Sequence, residues 1–333
     1  VARAAALAVL ALAAACRGGG EAEGKPLRFT VPPGAGLAAV ADTLEARGIV
    51  DSGWRFRWYA SRQNADRQLK PGIYEVRRGE DWAVIVRKLV TGDVVKIRIV
   101  IPEGWEVDRI ADRVAAATGL PRDTVIALMA DPRVPGRLGV PGPTMEGYLY
   151  PATYVFPLGT PLNKIVGAMA ERYRGAWTPA LRARADSLGM SEREVVALAS
   201  IVEKEARVWA ERPRISAVYH NRLKKGMRLQ ADPTVQYALG KHQSRLLYSD
   251  IREVADNPYN TYHHKGLPPG PIASPSRAAI EAALYPEAND YLFFVARPNG
   301  THIFTRTLAE HNAAKRASRT EARTASAAPA GGR

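Results

Sequence analysis

Cysteine is nearly absent from this sequence: Cys16 is the only one in 333 residues. A disulfide framework needs pairs and a thiolate zinc site needs several ligands, so both are excluded, and thiol redox chemistry with them. Acidic residues are also few, with 33 Asp and Glu against 47 Lys and Arg, which leaves a formal charge of +14. A surplus of that size calls for an anionic neighbour: nucleic acid, an anionic membrane face or an acidic polymer. Membrane-length apolar runs are missing. The run from Ala4 to Ala15 covers 12 residues, short of the ~20 needed to span a bilayer. What is present is ample apolar material, 46% of the chain, enough for a substantial core. The length predicts two domains with dispensable ends.

The first residues narrow the choice of partner. In "VARAAALAVLALAAACRGGGEAEGK", Arg3 precedes the apolar run, and Cys16 then leads into a polar stretch. That order is the grammar of an export signal. Small residues before a solitary cysteine, "LAAAC", resemble a bacterial lipoprotein signal, with the leucine one position earlier than usual; an ordinary cleaved signal or a truncated anchor is the alternative. Either reading sends the body of the chain, from about residue 27, out of the cytoplasm. There the excess of cations meets wall polymer and lipid headgroups rather than nucleic acid.

Three segments repeat one pattern: "RFTVPPGAGLAAVADTLEARGIV" from Arg28, "IYEVRRGEDWAVIVRKLVTGDV" from Ile73 and "RIVIPEGWEVDRIADRVAAATGL" from Arg98. Each reads as a strand, a turn ending in glycine (Gly34, Gly79, Gly104) and a helix. Leu37, Val40, Ala41 and Leu44 fall at i, i+3, i+4 and i+7, as do Val107, Ile110, Ala111 and Val114, so each helix offers one apolar face. The glycines fit turns that demand a positive φ. The first two units together resemble a LysM-type module, which binds N-acetylated glycans, over residues 27–96; a plain packing unit is the alternative. The expected class is α+β, with this small module ahead of a larger mixed α+β domain at 97–312. The final segment, 313–333, holds five basic residues and one acidic without apolar periodicity, which predicts a disordered basic tail.

The densest chemical signal is "GMSEREVVALASIVEKEAR". Ser191 and Glu194 have capping-box spacing, so a helix is expected to start at Glu192. Its apolar positions Val195, Val196, Leu198, Ala199, Ile201, Val202 and Ala206 sweep more than half the circumference, so it is largely buried. Lys204 lies opposite the apolar centre, and Glu203 and Glu205 fall on its two flanks. A carboxyl at the edge of an apolar wall holds its proton towards neutral pH, which a general acid requires. Ion pairing with Arg207, Arg212 or Arg214 is the competing reading, and periodicity does not rank the two glutamates.

Downstream stand "RLQADPTVQYALG" (Arg228 to Gly240), "YNTYHHKGLPPGPIASPSRAAIEAALYP" (Tyr259 to Pro286) and "DYLFFVARPNGTHIFTRTLAEHN" (Asp290 to Asn312), with "MEGYLYPATYVFP" (Met145 to Pro157) upstream. In this order, and together with "ASIVEKEA", they resemble the endolytic murein transglycosylases of the MltG or YceG-like family over about residues 97–312. The resemblance implies a peptidoglycan lyase with its catalytic acid on the first glutamate of the pair, Glu203. That group would protonate the oxygen between N-acetylmuramic acid and N-acetylglucosamine, then take the proton of the muramyl C6 hydroxyl as a 1,6-anhydro ring closes. One carboxylate suffices, where a hydrolase generally needs two, and no cofactor or metal is required. The implied partners are glycan strands, the inner membrane and penicillin-binding synthases, with the catalytic domain on the outer face.

Supporting positions follow from residue type. Gln230, Asp232 and Thr234, with Asn260, Thr261 and Tyr262, lie in polar turns and loops of the kind that present hydroxyls, amides and aromatic faces to sugars. Asp232 either orients a neighbour or caps an Asp-Pro turn. Glu146 is a second cleft carboxylate or an ion-pair partner, Tyr150 shares its motif, and His302 is placed facing the cleft from a strand end. His263 and His264 are adjacent and read as a solvated loop rather than metal ligands. Two rival functions stay open. One is a non-catalytic glycan-binding scaffold, which would tolerate Gln at position 203. The other is a cytosolic lyase, which would need a Schiff-base lysine and sits poorly with an export signal.

Overall fold

The structure is a computed structural model that describes residues 23–243 and 246–327. The signal-like segment of residues 1–26 falls almost wholly outside the described residues. The chain divides into two compact units, Val1–Arg98 with Tyr154–Pro161, and Ile99–Thr153 with Leu162–Arg333.

The first unit runs β1 (Glu23–Val31), α1 (Leu37–Ala46), α2 (Gly53–Arg62), β2 (Gly72–Arg78) and α3 (Trp82–Thr91). β1 and β2 pair antiparallel, Phe29 opposite Tyr74, and the two rings stack at 5.7 Å. Leu44, Phe56, Ile85 and Leu89 are buried around them. Helix α2 gives little periodic signal because Phe56 and Ala60 are buried and Tyr59 packs on the core, while Trp54 and Trp58 stay exposed. Gly34, Gly79 and Gly104 have φ of 78°, 70° and 70°, as the turn of each repeat demands.

Two paired strands, β3 (Lys96–Ile101) and β4 (Ala152–Pro157), are each divided between the units, with Lys96–Arg98 and Tyr154–Pro157 in the first. The second unit also holds α4 (Val107–Thr118), α5 (Arg122–Ala130) and α6 (Arg133–Arg137). Helices α7 (Leu162–Ala176), α8 (Pro179–Ser187), α9 (Glu192–Glu205), α10 (Arg212–Lys224), α11 (Asp232–Leu239), α12 (Tyr248–Glu253) and α13 (Arg277–Leu284) follow. An antiparallel hairpin, β5 (Phe293–Ala296) and β6 (His302–Thr305), and α14 (Leu308–Ala327) close the chain. Strands and helices are thus mixed but segregated, in keeping with an α+β class.

α9 is the hub. Every residue from Val195 to Val202 is buried, and its neighbours are α13, α10 and α11. The capping box forms as expected: the Ser191 hydroxyl accepts from the Glu194 amide at 3.3 Å, and the Glu194 carboxylate accepts from the Ser191 amide at 2.8 Å. Residues 313–327 correct an expectation, since they are helical rather than disordered. His311, Ala314 and Ser318 make a buried stripe at i, i+3 and i+7. The Ser318 hydroxyl donates to the Ala296 carbonyl of β5 at 2.7 Å. Ala, Ser and His make a weak hydrophobic signal, so the docking face passed for tail.

Candidate active site

The last turn of α9 carries Glu203, Lys204 and Glu205 in three directions. Lys204 pairs with Glu106 at 3.1 Å and reaches the Gly104 carbonyl at 3.4 Å. Even the lysine that the helical wheel placed furthest from the core is three-quarters buried, and it ties down the turn between β3 and α4.

Glu203 is held rather than poised. Its Oε1 accepts from Arg212 Nη2 at 2.6 Å, and the two side chains are 7% and 4% exposed. Its Oε2 accepts from the Ser276 amide at 3.0 Å and from the Ser276 hydroxyl at 2.5 Å. Ser276 is also the N-cap of α13 and receives the Ala279 amide at 3.1 Å. Glu203 therefore welds the end of α9 to the starts of α10 and α13. Both its oxygens are engaged, one of them in a charge-assisted bond from an arginine. The ion-pair reading of the motif holds for this glutamate. Glu103 stands on the same flank, its carboxyl raised by partial burial and by the Glu203 charge. Tyr150 is there as well, its hydroxyl raised by burial, within the fields of Arg277 and Glu103.

Glu205 has the opposite surroundings. Among the described residues no cation is bonded to it, and its side chain accepts from the Tyr219 hydroxyl, 2.9 Å from Oε1. The residue keeps some exposure, but its carboxyl is enclosed by protein. Burial, then the charge of Asp232, push it up to about 7, against smaller pulls from Tyr219 and Arg222. A carboxyl in that range holds a proton at neutral pH and can also release it, the property required of a residue that serves first as acid and then as base. Asp232 opens α11, is exposed, and accepts from the Tyr262 hydroxyl at 2.5 Å. It orients a neighbour, whereas the N-cap position of α11 is Ala231 and no side chain caps it, so the turn-cap alternative is not what the structure forms. Arg222 is buried, with Nε donating to the Leu292 carbonyl and Nη1 to that of Leu229, each at 2.6 Å. Gln230 is exposed, with φ of 49°; its amide donates to the Thr261 carbonyl at 3.1 Å.

Several expected sugar-facing residues turn inward. Asn260, Thr261 and Thr234 are 0–1% exposed. The Asn260 amide donates to the Ile251 and Val254 carbonyls at 2.8 and 3.0 Å. The Thr234 and Thr261 hydroxyls bond each other at 2.8 Å, and Thr261 also receives the Ala231 amide. They lock the loop that presents Gln230, Asp232 and Tyr262, and their polar atoms face the backbone because buried donors and acceptors must be paired. His302 is a further correction. Its side chain is 3% exposed and its Nδ1 lies 2.7 Å from Glu211, so it steadies the entry to α10 instead of facing a cleft. Glu146 is buried and accepts from the Val107 amide at 3.1 Å, capping α4, with burial pushing its carboxyl up to about 8. It is neither an ion-pair partner nor an open carboxylate. His263 and His264 are exposed, and no group of His, Cys, Asp and Glu among the described residues is arranged to hold a metal.

Tyr219, Arg222 and Ser276 escaped the sequence reading. Ser276, ahead of "RAAIEAAL", carried an N-cap signal. Tyr219 and Arg222 carried none, since both lie in a helix whose polar and apolar residues are mixed all round.

The YceG-like family model matches residues 29–317, so the relationship takes in the first unit as well. An endolytic murein transglycosylase of Bacillus subtilis (strain 168) is 36% identical over 305 residues, 87% of this chain and 84% of that protein. One of Streptococcus pneumoniae serotype 2 (strain D39 / NCTC 7466) is 30% identical over 295 residues, 80% of this chain but 53% of that protein, so the chain spans about half of the pneumococcal relative. The crystal structure of a YceG-like protein from Listeria monocytogenes is 35% identical, with a TM-score of 0.61, and covers 87% of this chain and 99% of its own. By sequence across nearly its whole described length and by fold, the chain belongs to the YceG-like family.

Proposed function

We propose that this protein is an endolytic peptidoglycan lytic transglycosylase that cleaves the β-1,4 bond between N-acetylmuramic acid and N-acetylglucosamine, leaves 1,6-anhydro ends, and uses Glu205 as its acid and base. The names of the relatives support the substrate class. The observation that carries the residue assignment is the buried Glu205 carboxyl, pushed up to about 7 on a rigid helix end beside Asp232. Protonated Glu205 gives its proton to the glycosidic oxygen as the C1–O bond breaks. The resulting carboxylate takes the proton of the C6 hydroxyl as O6 closes on C1, which returns Glu205 to its starting state. Burial favours the first half. The Tyr219 hydroxyl and the Arg222 charge favour the carboxylate that the first half creates. Tyr262, fixed by Asp232, and Gln230 are the side chains offered to the sugar.

The first unit serves in this reading as a LysM-like glycan-binding module, an assignment supported by its strand-helix-helix-strand order. The export-signal grammar of residues 1–26 and the cationic surplus support a site of action at the outer face of the cell membrane, near the synthases that extrude new strands. No helix among the described residues is long and apolar enough to cross a membrane.

The test is mass spectrometry of peptidoglycan incubated with the wild type, Glu205→Gln and Glu203→Gln. Anhydromuramyl ends are expected from the wild type and not from Glu205→Gln. Ends that persist in Glu205→Gln but vanish in a folded Glu203→Gln would return the acid to Glu203. Reducing ends would make the enzyme a hydrolase, with Asp232 as its second carboxylate. An intact polymer bound by the wild type would leave a scaffold protein.

A further inference from the structure

The Glu203 flank holds a cavity of about 600 Å³ bounded by Trp209, Arg212, Pro213, Arg277, Glu281 and Tyr285. That is the size range of a small-ligand site. Two large rings stand exposed at it, Trp209 at 70% and Tyr285 at 50%. Each is backed by a guanidinium: Arg212 lies 5.0 Å from the Trp209 ring centre, and Arg184 lies 5.2 Å from that of Tyr285. Because Arg212 is 3% exposed while Trp209 is open, the cation lies behind the ring and the other face looks outward. Among the described residues, Arg212 Nε and Nη1 are buried without a hydrogen-bond partner, and the π face of Trp209 is the group set against them. Glu203 holds Arg212 from the far side at 2.6 Å. The chain Glu203–Arg212–Trp209 thus stiffens a surface aromatic that would otherwise have free rotamers, lowering the entropy lost on binding. At the edge, Arg277 and Glu281 pair at 2.7 Å and present a donor fork beside an acceptor.

We infer that this cavity is an accessory saccharide subsite in which a pyranose of the glycan strand stacks on Trp209, with Tyr285 and the Arg277–Glu281 pair completing the contact. A pyranose has an apolar C–H face and an equatorial rim of hydroxyls. The C–H face suits the electron-rich face of an aromatic ring, and the rim suits a charged fork that both donates and accepts. A protein partner would call for a broader apolar patch than two rings separated by ion pairs. The subsite rests on the proposed function, and it lies on the flank of α9 opposite to Glu205, so it grips strand rather than scissile bond.

The experiment is binding of soluble uncrosslinked glycan strands by the full chain carrying Glu205→Gln, with and without Trp209→Ala or Trp209→Phe, beside turnover measured in the Glu205 background. Trp209→Ala is expected to weaken the Kd about tenfold, the loss of one stacked aromatic. It should raise KM with kcat unchanged, while Trp209→Phe stays within about twofold. Trp209 is exposed, so the variants should keep the parent's circular dichroism. An unchanged Kd in folded Trp209→Ala overturns the subsite, including the case in which the rings serve a protein partner. Failure of the wild type to cleave strands, with the Trp209-dependent binding intact, instead overturns the catalytic reading alone.

Discussion

The two flanks at the end of α9 start from the same residue type, two positions apart on one helix, and come out chemically opposed. Glu203 meets a buried arginine and two donors from Ser276 and becomes a joint between three helices. Glu205 meets a tyrosine hydroxyl, burial and a like charge from Asp232, and its carboxyl rises to about 7. The lesson is that a carboxyl's function is set by what its neighbours do to its charge. A cation with matched donors makes it structural, whereas burial next to another carboxylate makes it a proton carrier.

The comparison breaks most readily through the two amide substitutions. Glu205→Gln is expected to lower turnover by about 10²–10⁴-fold or more, the contribution of a general acid-base group, with an unaltered fold; strand-cleavage rates beside circular dichroism check it. Glu203→Gln should instead be a folding lesion. It leaves the Arg212 guanidinium buried without its counter-charge, a cost of ~3–5 kcal/mol, read as a lower midpoint in denaturant titration. Equal stability of the two variants would dissolve the distinction.

A pH series sharpens it further. The Glu205 carboxyl is raised from an ordinary 4.5 to about 7 on folding, so the native state binds the extra proton between those values. The stability it contributes is present below about 4.5 and is lost as pH rises through about 7. Relative to wild type, Glu205→Gln should therefore be more stable at pH 8, by ~1–3 kcal/mol, and no more stable near pH 4. Denaturation midpoints across that range would show the crossover, and a constant difference would contradict it.

Asp232→Asn removes the charge that helps to raise Glu205. The falling limb of activity should then move to lower pH, with about a several-fold loss at neutral pH. Tyr262→Phe leaves that charge in place and should leave the limb where it is. The smallest expected effect is at Gln230. Its φ of 49° costs a non-glycine residue about 1 kcal/mol, so Gln230→Gly should hold or slightly raise stability while raising KM. A fall in thermal midpoint would show that the Gln230 side chain braces the loop.

Much of the framework could be read directly from the sequence. The three strand-turn-helix repeats, the capping box at Ser191 and Glu194, the burial of α9 and the EKE motif as the place of interest all rest on local spacing. Local spacing is faithful wherever a period of 2 or 3.6 meets a single apolar face. It failed at α2, where charged residues mask a helix anchored by Phe56, Tyr59 and Ala60, and at α14, whose docking stripe is made of His, Ala and Ser. It failed in a more instructive way at Asn260, Thr261, Thr234 and His302. Polar residues in loops look the same in sequence whether they face a ligand or tie the backbone.

The sequence by itself determined that a buried helix would end in two flanking carboxyls, and that one of them would be a candidate acid. Only the tertiary structure gave the two carboxyls their different surroundings. Arg212, Ser276, Tyr219 and Asp232 come to the helix end from 9 to 73 residues beyond the glutamates they act on, brought there by the packing of α10, α11 and α13 on α9. Burial and electrostatic fields act through space, over a few ångströms, and the order of residues along the chain records neither.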